Sequence, residues 1–241
     1  MRISRLFINT TLSPNALISL DEKASHYLTN VLRLKSNAPL VVFNGHGNQY
    51  NATIETVEKK TVTIRTKDCV AVNNESPLSI HLGIALSKGD RMDWIIQKAT
   101  ELGVTAITPL TSERSEVKLK GARLEKKLQH WQQIAISACE QCGRNRVPAI
   151  HALSIADDWV KTVNAERKLV LHHRTEQTID ATRHIASAAL LIGPEGGLSE
   201  REINAAEQQG FAALRLGPRV LRTETAPLAA ITLLQHSWGD M

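Results

Sequence analysis

The pattern of apolar residues changes at residues 73–77, and this change limits the possible folds more than any other feature of the sequence. Before it, short segments of alternating apolar and polar residues are separated by turns, which is typical of antiparallel strands. Three of these segments are residues 39–45, 49–57 and 61–66. After it, apolar runs of strand length alternate with segments of helical spacing, which indicates an α/β domain with a mostly parallel sheet. We therefore expect a small β-barrel over residues 1–72 and an α/β domain over residues 78–241, joined by a linker.

The same patterns predict individual elements. One helix over about residues 21–32 should interrupt the strands of the first domain. Strands of the second domain are expected at residues 78–85, 104–110, 168–172, 188–193 and 212–216. Apolar spacing predicts a helix that stops at Gly103, a long helix with an apolar stripe from Leu124 to Cys142, and a terminal helix over residues 226–237. Ser199 and Glu202 have the spacing of a capping box, so a further helix should begin there and end near Gly210.

Composition narrows the class of protein. No apolar run approaches the roughly 20 residues needed to cross a bilayer, and the opening residues lack the continuous apolar stretch of a secretory signal. The three cysteines, Cys69, Cys139 and Cys142, are too few and odd in number for a disulfide framework. We therefore expect a soluble cytoplasmic protein with no membrane partner.

Positive charge is concentrated in the first three-fifths of the chain. Residues 1–72 hold nine Lys and Arg against five Asp and Glu, and residues 80–146 hold eleven against seven. Residues 147–241 hold nine against eleven. A polyanionic partner would bind to the basic part, although an ordinary solvated surface explains the charge equally well.

Two loops after predicted strands are where function is expected, because ligands of open α/β sheets bind at the carboxyl ends of strands. The first, GPEGG at residues 193–197, leaves a hydrophobic strand and enters the capped helix. Its glycines let a ligand approach the backbone, and the helix start offers free N–H groups, but such turns are also common as purely structural features. The second, residues 216–226, is long for a compact domain, and long loops are usually functional. Neither is a P-loop, and the chain has no G-x-G-x-x-G, so a Rossmann cofactor site is not expected.

These loops also carry a resemblance to a known family. GPEGGLSEREI from Gly193, followed by LGPRVLRTETAP from Leu216, resembles the RsmE family of SPOUT methyltransferases, which methylate N3 of a uridine in ribosomal RNA. Shorter motifs extend the resemblance over the whole chain. They are RLF at residues 5–7, HYLTNVLRL at 26–34, FNGHG at 43–47, K-x-x-x-x-D at 88–93, TELGV at 100–104 and EQCGR at 140–144.

The resemblance implies a fold and a cofactor. The fold is a PUA-like RNA-binding β-barrel followed by an α/β SPOUT methyltransferase domain with a mostly parallel sheet, whose C-terminal segment threads a trefoil knot. The cofactor is S-adenosylmethionine in a bent form, and no metal is implied. Carried over by motif, the cofactor contacts are Leu171, His172, Ile192, Gly193, Pro194, Glu195, Gly196, Gly197, Leu216, Gly217, Leu221, Thr223, Thr225 and Ala226.

The chemistry of such a donor leaves the enzyme few tasks. The sulfonium methyl group is already activated, so the protein must align the nucleophile, exclude water and manage one proton. Uridine N3 must lose that proton and lies on the Watson–Crick edge, so the target must be unpaired when it reacts. The candidate catalytic residues are Glu224 as proton acceptor and Arg222 as stabiliser of the uridine anion. Equally open is that Glu224 caps the last helix and Arg222 binds a backbone carbonyl, and Glu195 is favourable near a helix start without any catalytic role.

The implied partners are 16S rRNA of the small ribosomal subunit and, since the family acts as a homodimer, a second copy of the chain. Leu228, Ile231 and Leu234 are candidates for the dimer contact, and burial within one chain explains the same stripe. RNA contacts are expected, as a group, at Arg2, Arg5, Arg33, Lys88, Arg91, Arg114, Arg144 and Arg146. Two alternatives stay open: a SPOUT methyltransferase that acts on transfer RNA or on a ribose hydroxyl, and a non-catalytic RNA-binding protein.

Two further motifs are not expected to bind metal. Cys139 and Cys142 form a C-x-x-C at the end of a long helix with no second pair, whereas a redox cysteine would begin a helix. His172 and His173 would point to opposite sides of a strand. His172 is instead expected to line the cofactor pocket.

Overall fold

The computed structural model describes residues 3–172 and 184–241. The chain divides into two compact units, one formed by Met1–Glu75 with Cys139–Val147 and the other by Ser76–Ala138 with Pro148–Met241. The end of a long helix and the turn after it therefore belong to the first unit, although the chain on both sides of this segment belongs to the second.

The first unit contains, within the described residues, a five-stranded mixed sheet in the order β1-β3-β4-β5-β2. Its strands are β1 Ser4–Phe7, β2 Leu17–Ser19, β3 Pro39–Phe43, β4 Asn48–Val57 and β5 Val62–Ala71. The predicted meander is present in β3, β4 and β5, whereas β1 adds parallel to β3 and β2 adds antiparallel to β5. The β4–β5 register shifts at residues 50–52 and 54–56, and such bulges bend long strands because they increase the local twist.

The helix predicted at residues 21–32 is present but changes its form part-way. It begins as α1, Glu22–His26, and continues as a π-helical turn at Tyr27–Val31. Asp21 caps it, because its side chain accepts a hydrogen bond of 2.7 Å from the N–H of Ala24. Leu28 in the π-helical turn is completely buried and packs with the apolar side chains of the sheet.

Buried polar contacts hold residues 139–147 in the first unit. The guanidinium of Arg144, a residue only 4% exposed, lies 2.7 Å from a carboxylate oxygen of Glu75. The guanidinium of Arg5 donates to the side-chain oxygen of Asn145 at 2.7 Å. Removing one partner of a buried charge pair is strongly destabilising, so these contacts fix a segment that no periodic pattern assigns to this unit.

The second unit contains, in the part of the chain that is described, a seven-stranded sheet ordered β12-β10-β11-β6-β7, with β8 and β9 both on β7. The strands are β6 Ser79–Ala85, β7 Ala106–Thr111, β8 Ala149–Ile150, β9 Ser154–Ile155, β10 Arg167–Leu171, β11 Ser187–Ile192 and β12 Phe211–Leu214. Each of these pairings is parallel, which confirms the predicted α/β class. β8 and β9 were not predicted, because two residues are too few to show a period.

The helices of the second unit join these strands. They are α2 Arg91–Glu101, α3 Gly121–Cys142, α4 Ala156–Thr162, α5 Glu200–Gln208 and α6 Thr225–Trp238. The capping box of α5 is confirmed, since the Ser199 hydroxyl accepts from the N–H of Glu202 at 3.2 Å and the Glu202 carboxylate accepts from the N–H of Ser199 at 2.9 Å. The short α4 was not predicted, and its Trp159 packs so closely on Gly83 that an added Cβ would lie 2.6 Å from the ring. None of the helices in residues 3–172 and 184–241 is long and apolar enough to cross a membrane.

The terminal helix faces its own chain. Ile231 and Leu234 are completely buried, whereas Leu228 is half-buried. The buried amide of Gln235 donates to the carbonyl of Leu102 at 2.8 Å and accepts from the hydroxyl of Ser76 at 2.6 Å. Burial within one chain therefore accounts for most of the apolar stripe of α6.

Candidate functional site

Three strand ends lie side by side at one edge of the parallel sheet, which we call the carboxyl edge. β10 lies between β12 and β11, and its last residue, Leu171, pairs with Leu214. The N–H of His172 extends this contact by donating to the carbonyl of Leu214 at 3.0 Å. β6 is flanked by β7 on one side and by the late strand β11 on the other. Such a reversal of strand order is where ligands of open α/β sheets bind.

The loop at residues 193–197 turns sharply as it leaves β11. At Gly193 an added Cβ would lie 2.7 Å from the backbone nitrogen of Leu198, which is closer than side chains tolerate. Gly197 has a φ of +68°, and its N–H donates to the carbonyl of Pro194 at 2.8 Å. An added Cβ at Gly197 would meet no described atom within 4 Å. Geometry therefore requires glycine at both positions, and the backbone at Gly197 is open on the side where a side chain would stand.

The loop between β12 and α6 is exposed at its tip and anchored at its end. Val220 at the tip is 85% exposed, whereas Thr223 is 9% exposed. The carbonyl of Arg222 accepts hydrogen bonds from the N–H groups of Thr225 and Ala226, at 3.0 and 2.9 Å. Glu224 makes no side-chain capping bond to α6. The alternative in which the Glu224 carboxylate caps the last helix is therefore wrong, since the backbone of Arg222 closes its first turn.

Arg91, at the start of α2, contacts one carboxylate from each of the two loops. Its Nη1 is hydrogen-bonded to Oε1 of Glu195 in the first loop. Its Nε lies 3.4 Å from Oε2 of Glu224 in the second loop. The N–H of Lys88 donates to the same oxygen of Glu195 at 3.1 Å. One planar guanidinium therefore joins the two loops that the sequence singled out.

The carboxylate of Glu195 is held in its charged form. Burial acts to raise its pKa, but hydrogen bonds from its own N–H and that of Lys88, with the Arg91 guanidinium, outweigh this and lower the pKa below its ordinary value. The side chains are partly exposed, by 36% for Arg91, 37% for Glu195 and 25% for Glu224. A solute that reaches the loops therefore meets both carboxylates together with several guanidinium groups, those of Arg91, Arg114 and the loop residue Arg222.

A second set of contacts holds the first loop from the side of β7. Arg114 donates to the carbonyl of Gly196 at 2.9 Å. The buried carboxylate of Glu202, besides its role in the capping box, accepts from the N–H of Glu113 at 2.9 Å. Sequence reasoning missed both contacts, because the partners are 82 and 89 residues apart and no local pattern links them.

Comparison with known proteins decides the family. Residues 74–235 match a family described as RNA methyltransferase domain, and residues 20–67 match one described as RNA methyltransferase PUA domain. The chain is 42% identical, over its whole length and 98% of the relative, to ribosomal RNA small subunit methyltransferase E of Buchnera aphidicola subsp. Schizaphis graminum. It is 32% identical to the protein of the same name from Bacillus subtilis, over 97% of this chain and 96% of that one. The chain belongs to the ribosomal RNA small subunit methyltransferase E family.

Solved structures agree with this family membership, which confirms the resemblance found in the motifs. A methyltransferase from Legionella pneumophila in complex with bound S-adenosylmethionine is 41% identical, with a TM-score of 0.96 over all of both chains. Ribosomal RNA small subunit methyltransferase E from Neisseria gonorrhoeae, bound to S-adenosylmethionine, is 38% identical with a TM-score of 0.93 over all of both chains. The predicted fold class, a PUA-like domain followed by a SPOUT α/β domain, is confirmed.

The basic residues predicted to bind RNA differ in how their charge is used. Arg2 lies outside the described residues, and Arg33 and Arg146 are exposed. Arg144 is buried against Glu75, and Arg5 is bonded to Asn145. Lys88, Arg91 and Arg114 lie at the carboxyl edge, where Lys88 also pairs with Glu116. RNA contact at each of these residues stays a prediction.

The two motifs that are not expected to bind metal, the cysteine pair and the histidine pair, lie in different surroundings. Cys139 is buried, which raises the pKa of its thiol to about 12. The thiolate needed for metal binding or redox chemistry is therefore disfavoured there. His172 lies at the carboxyl edge beside Leu214, while His173 lies outside the described residues.

Proposed function

We propose that this chain transfers a methyl group from S-adenosylmethionine to N3 of a uridine in 16S ribosomal RNA of the small subunit. Membership of an RNA methyltransferase family supports the reaction class. The observation that carries the proposal is the link through Arg91, because it brings the two loops with the family motifs to one edge of the sheet. The choice of uridine N3 rests on the resemblance of these motifs to the RsmE family.

The loops suit this cofactor in shape. When bound, S-adenosylmethionine supplies a methyl group activated by a positive sulfonium. The exposed backbone at Gly196, Gly197 and Gly217 lets a flat ring and polar groups come close to main-chain N–H and C=O groups. We assign the cofactor contacts to Leu171, His172, Ile192, Gly193, Pro194, Glu195, Gly196, Gly197, Leu216, Gly217, Leu221, Thr223, Thr225 and Ala226.

Two residues of the second loop are available for the methylated base. The guanidinium of Arg222 is exposed and makes no hydrogen bond or ion pair with the described residues. We assign to this guanidinium the binding of the uracil oxygens, which carry negative charge once N3 has lost its proton. Glu224, two residues further on and paired with Arg91, is the proton acceptor in this proposal, directly or through a water molecule.

The family also suggests features of the whole molecule. We propose that the segment leading into α6 threads a trefoil knot, and that the chain acts as a homodimer in the cytoplasm. The half-buried Leu228 is the member of the predicted dimer stripe that keeps exposed surface. We propose residues 1–72 as the RNA-binding domain and residues 78–241 as the methyltransferase domain, and the two matched families, over residues 20–67 and 74–235, support this division.

The test is chemical mapping of the modified nucleoside. Ribosomal RNA from a strain that lacks the gene is compared with RNA from the parent strain. N3 methylation blocks base pairing, so the parent should show a reverse-transcription stop in 16S rRNA that the deletion strain lacks. The purified protein with S-adenosylmethionine should restore the stop. A difference confined to transfer RNA, or to a ribose hydroxyl, would refute the proposed substrate.

A further inference from the structure

Four basic side chains form an exposed surface where the chain passes from β7 into α3. They are Lys118 and Lys120 in the connecting segment, and Arg123 and Lys126 in the first two turns of the helix. Arg123 and Lys126 are three residues apart, so they project from one face of α3. The helix begins at Gly121, and its free N–H groups add partial positive charge beside the lysines. We call these four residues the α3 basic surface.

The positive charge of this surface is not neutralised by other side chains within the described residues. None of the four side chains has an ion pair or a hydrogen bond there, although most of their acidic neighbours are engaged. Glu116 pairs with Lys88, and Asp93 binds His130 and Trp131 at 2.7 and 2.9 Å. Glu125 lies two positions from Arg123, which directs it to a different side of the helix.

Several other basic residues of this unit differ in this respect, although Arg222 of the second loop does not. Lys98, Lys161 and Arg201 each have a carboxylate partner. The four cationic groups lie within residues 118–126 and have no counter-charge among the described residues, so the isolated protein gains no ion-pair stability from them. A polyanion that binds them would supply the missing counter-charge.

The surface continues from the candidate site. Arg114 holds the carbonyl of Gly196, and Glu116, two residues later, pairs with Lys88, whose N–H binds Glu195. Lys118 lies four positions after Arg114, a reach of at most about 14 Å. Arg123 and Lys126 follow at about 1.5 Å of helix rise per residue. An RNA strand bound at the carboxyl edge can therefore also contact these side chains, which belong to the same unit.

We propose that the α3 basic surface binds phosphates of the RNA that flanks the methylated nucleotide. The occupant is RNA, because the surface offers four positive charges and follows closely in the chain on Arg114 and Glu116, which contact the loops and Lys88 in a domain that matches an RNA methyltransferase family. Lysine and arginine contacts of this kind hold the backbone in register without reading its sequence. This proposal rests on the proposed function and adds a binding site outside the residues that the motifs indicate.

The test compares three variants with the wild-type full chain. The first, Lys120→Ala/Arg123→Ala/Lys126→Ala, removes three charges. The second, Lys120→Arg/Arg123→Lys/Lys126→Arg, keeps all three and controls for folding. The third, Lys161→Ala, removes an exposed lysine of α4 that pairs with Asp158. Binding of small subunits from the deletion strain, and of a 16S rRNA transcript, is measured over a range of salt concentrations, with methylation kinetics and calorimetry of S-adenosylmethionine.

The alanine triple variant should bind RNA more weakly, and the slope of log affinity against log salt should fall by about 2–3, since each lost phosphate contact removes about 0.7–0.9. KM for RNA should rise about tenfold or more while kcat at saturating RNA and the Kd for S-adenosylmethionine stay at wild-type values. The charge-conserving variant and Lys161→Ala should keep the wild-type slope.

Three results would overturn the proposal: an unchanged salt slope, an equal loss in the charge-conserving variant, or a parallel loss of cofactor affinity. A wild-type protein that methylates no uridine N3, while the alanine variant still loses RNA affinity, would defeat the proposed function and leave this surface standing.

Discussion

Replacing Arg91 by methionine tests whether the two loops depend on one guanidinium. Methionine keeps much of the apolar stem but leaves the carboxylates of Glu195 and Glu224 without their cation. All three side chains are between 25% and 37% exposed, so each ion pair is worth about 0.2–1 kcal/mol rather than the larger value of a buried pair. Losing both pairs should cost about 0.4–2 kcal/mol. For a protein of this size that lowers Tm by about 1–8 °C.

The larger effect should appear in cofactor affinity. If the paired loops are the arrangement that binds S-adenosylmethionine, a loss of about 0.4–2 kcal/mol lowers the equilibrium constant for forming that arrangement by about 2–30-fold, which sets the upper limit for the rise in Kd. Calorimetry with the purified variant measures this rise. Arg91→Lys should recover part of it, because an ammonium group cannot serve two carboxylates with the geometry of a guanidinium.

The matched control for Arg91→Met is Lys98→Met. Lys98 lies on the same helix, is 34% exposed and pairs with Glu101 three residues away. Its replacement should cost a few tenths of a kcal/mol in stability and leave Kd unchanged. If the Kd of Arg91→Met for the cofactor is within twofold of wild type, the loops bind the cofactor without the Arg91 link, and the contacts of Arg91 do not mark the cofactor site.

Three further predictions follow from single positions. Gly193→Ala should abolish cofactor binding in calorimetry, because the new Cβ would lie 2.7 Å from the backbone nitrogen of Leu198; normal binding would show that the loop can shift at little cost. Arg222→Ala should lower kcat by about 10²–10³-fold with Kd for the cofactor unchanged, as for the loss of one donor to a developing anion; a change in Kd alone would assign it to cofactor binding instead. His81→Gln should make the free energy of unfolding depend less on pH below about pH 6.5, because burial and the nearby His151 lower the pKa of His81 from 6.5 to about 4. Between these values only the unfolded chain binds the proton, so wild-type stability falls with decreasing pH, by about 1–3 kcal/mol after allowance for partial exposure, and denaturant titrations at several pH values should show a smaller fall in the variant.

Most helices and strands could be predicted from local sequence patterns. The capping box at Ser199 and Glu202, the long helix to Cys142 and the five predicted strands of the second unit appear at or near their expected positions. Each depends on residues within a few positions of one another. The elements that were missed, such as β1 and α4, are short, and their places depend on partners far along the chain.

In the candidate site, too, the features set by neighbouring residues were predicted and those set by distant residues were not. The sequence alone indicated the two loops through their glycines. In the first loop a Cβ at Gly193 would lie 2.7 Å from a backbone nitrogen and Gly197 has a positive φ, and in the second loop Gly217 has a φ of +82°. The family motifs around these glycines were therefore readable without a structure.

Sequence patterns did not indicate which distant groups meet, because this depends on the packing of the folded chain. The tertiary structure placed β10 between β11 and β12, gave residues 139–147 to the first unit, and set Arg91 against Glu195 and Glu224, 104 and 133 positions away in the chain. The physical reason is that an ion pair constrains two side chains to meet but imposes no period or propensity on the residues between them. Any of several arginines could have satisfied these carboxylates, and only the packing of the sheet and helices brought this one within reach.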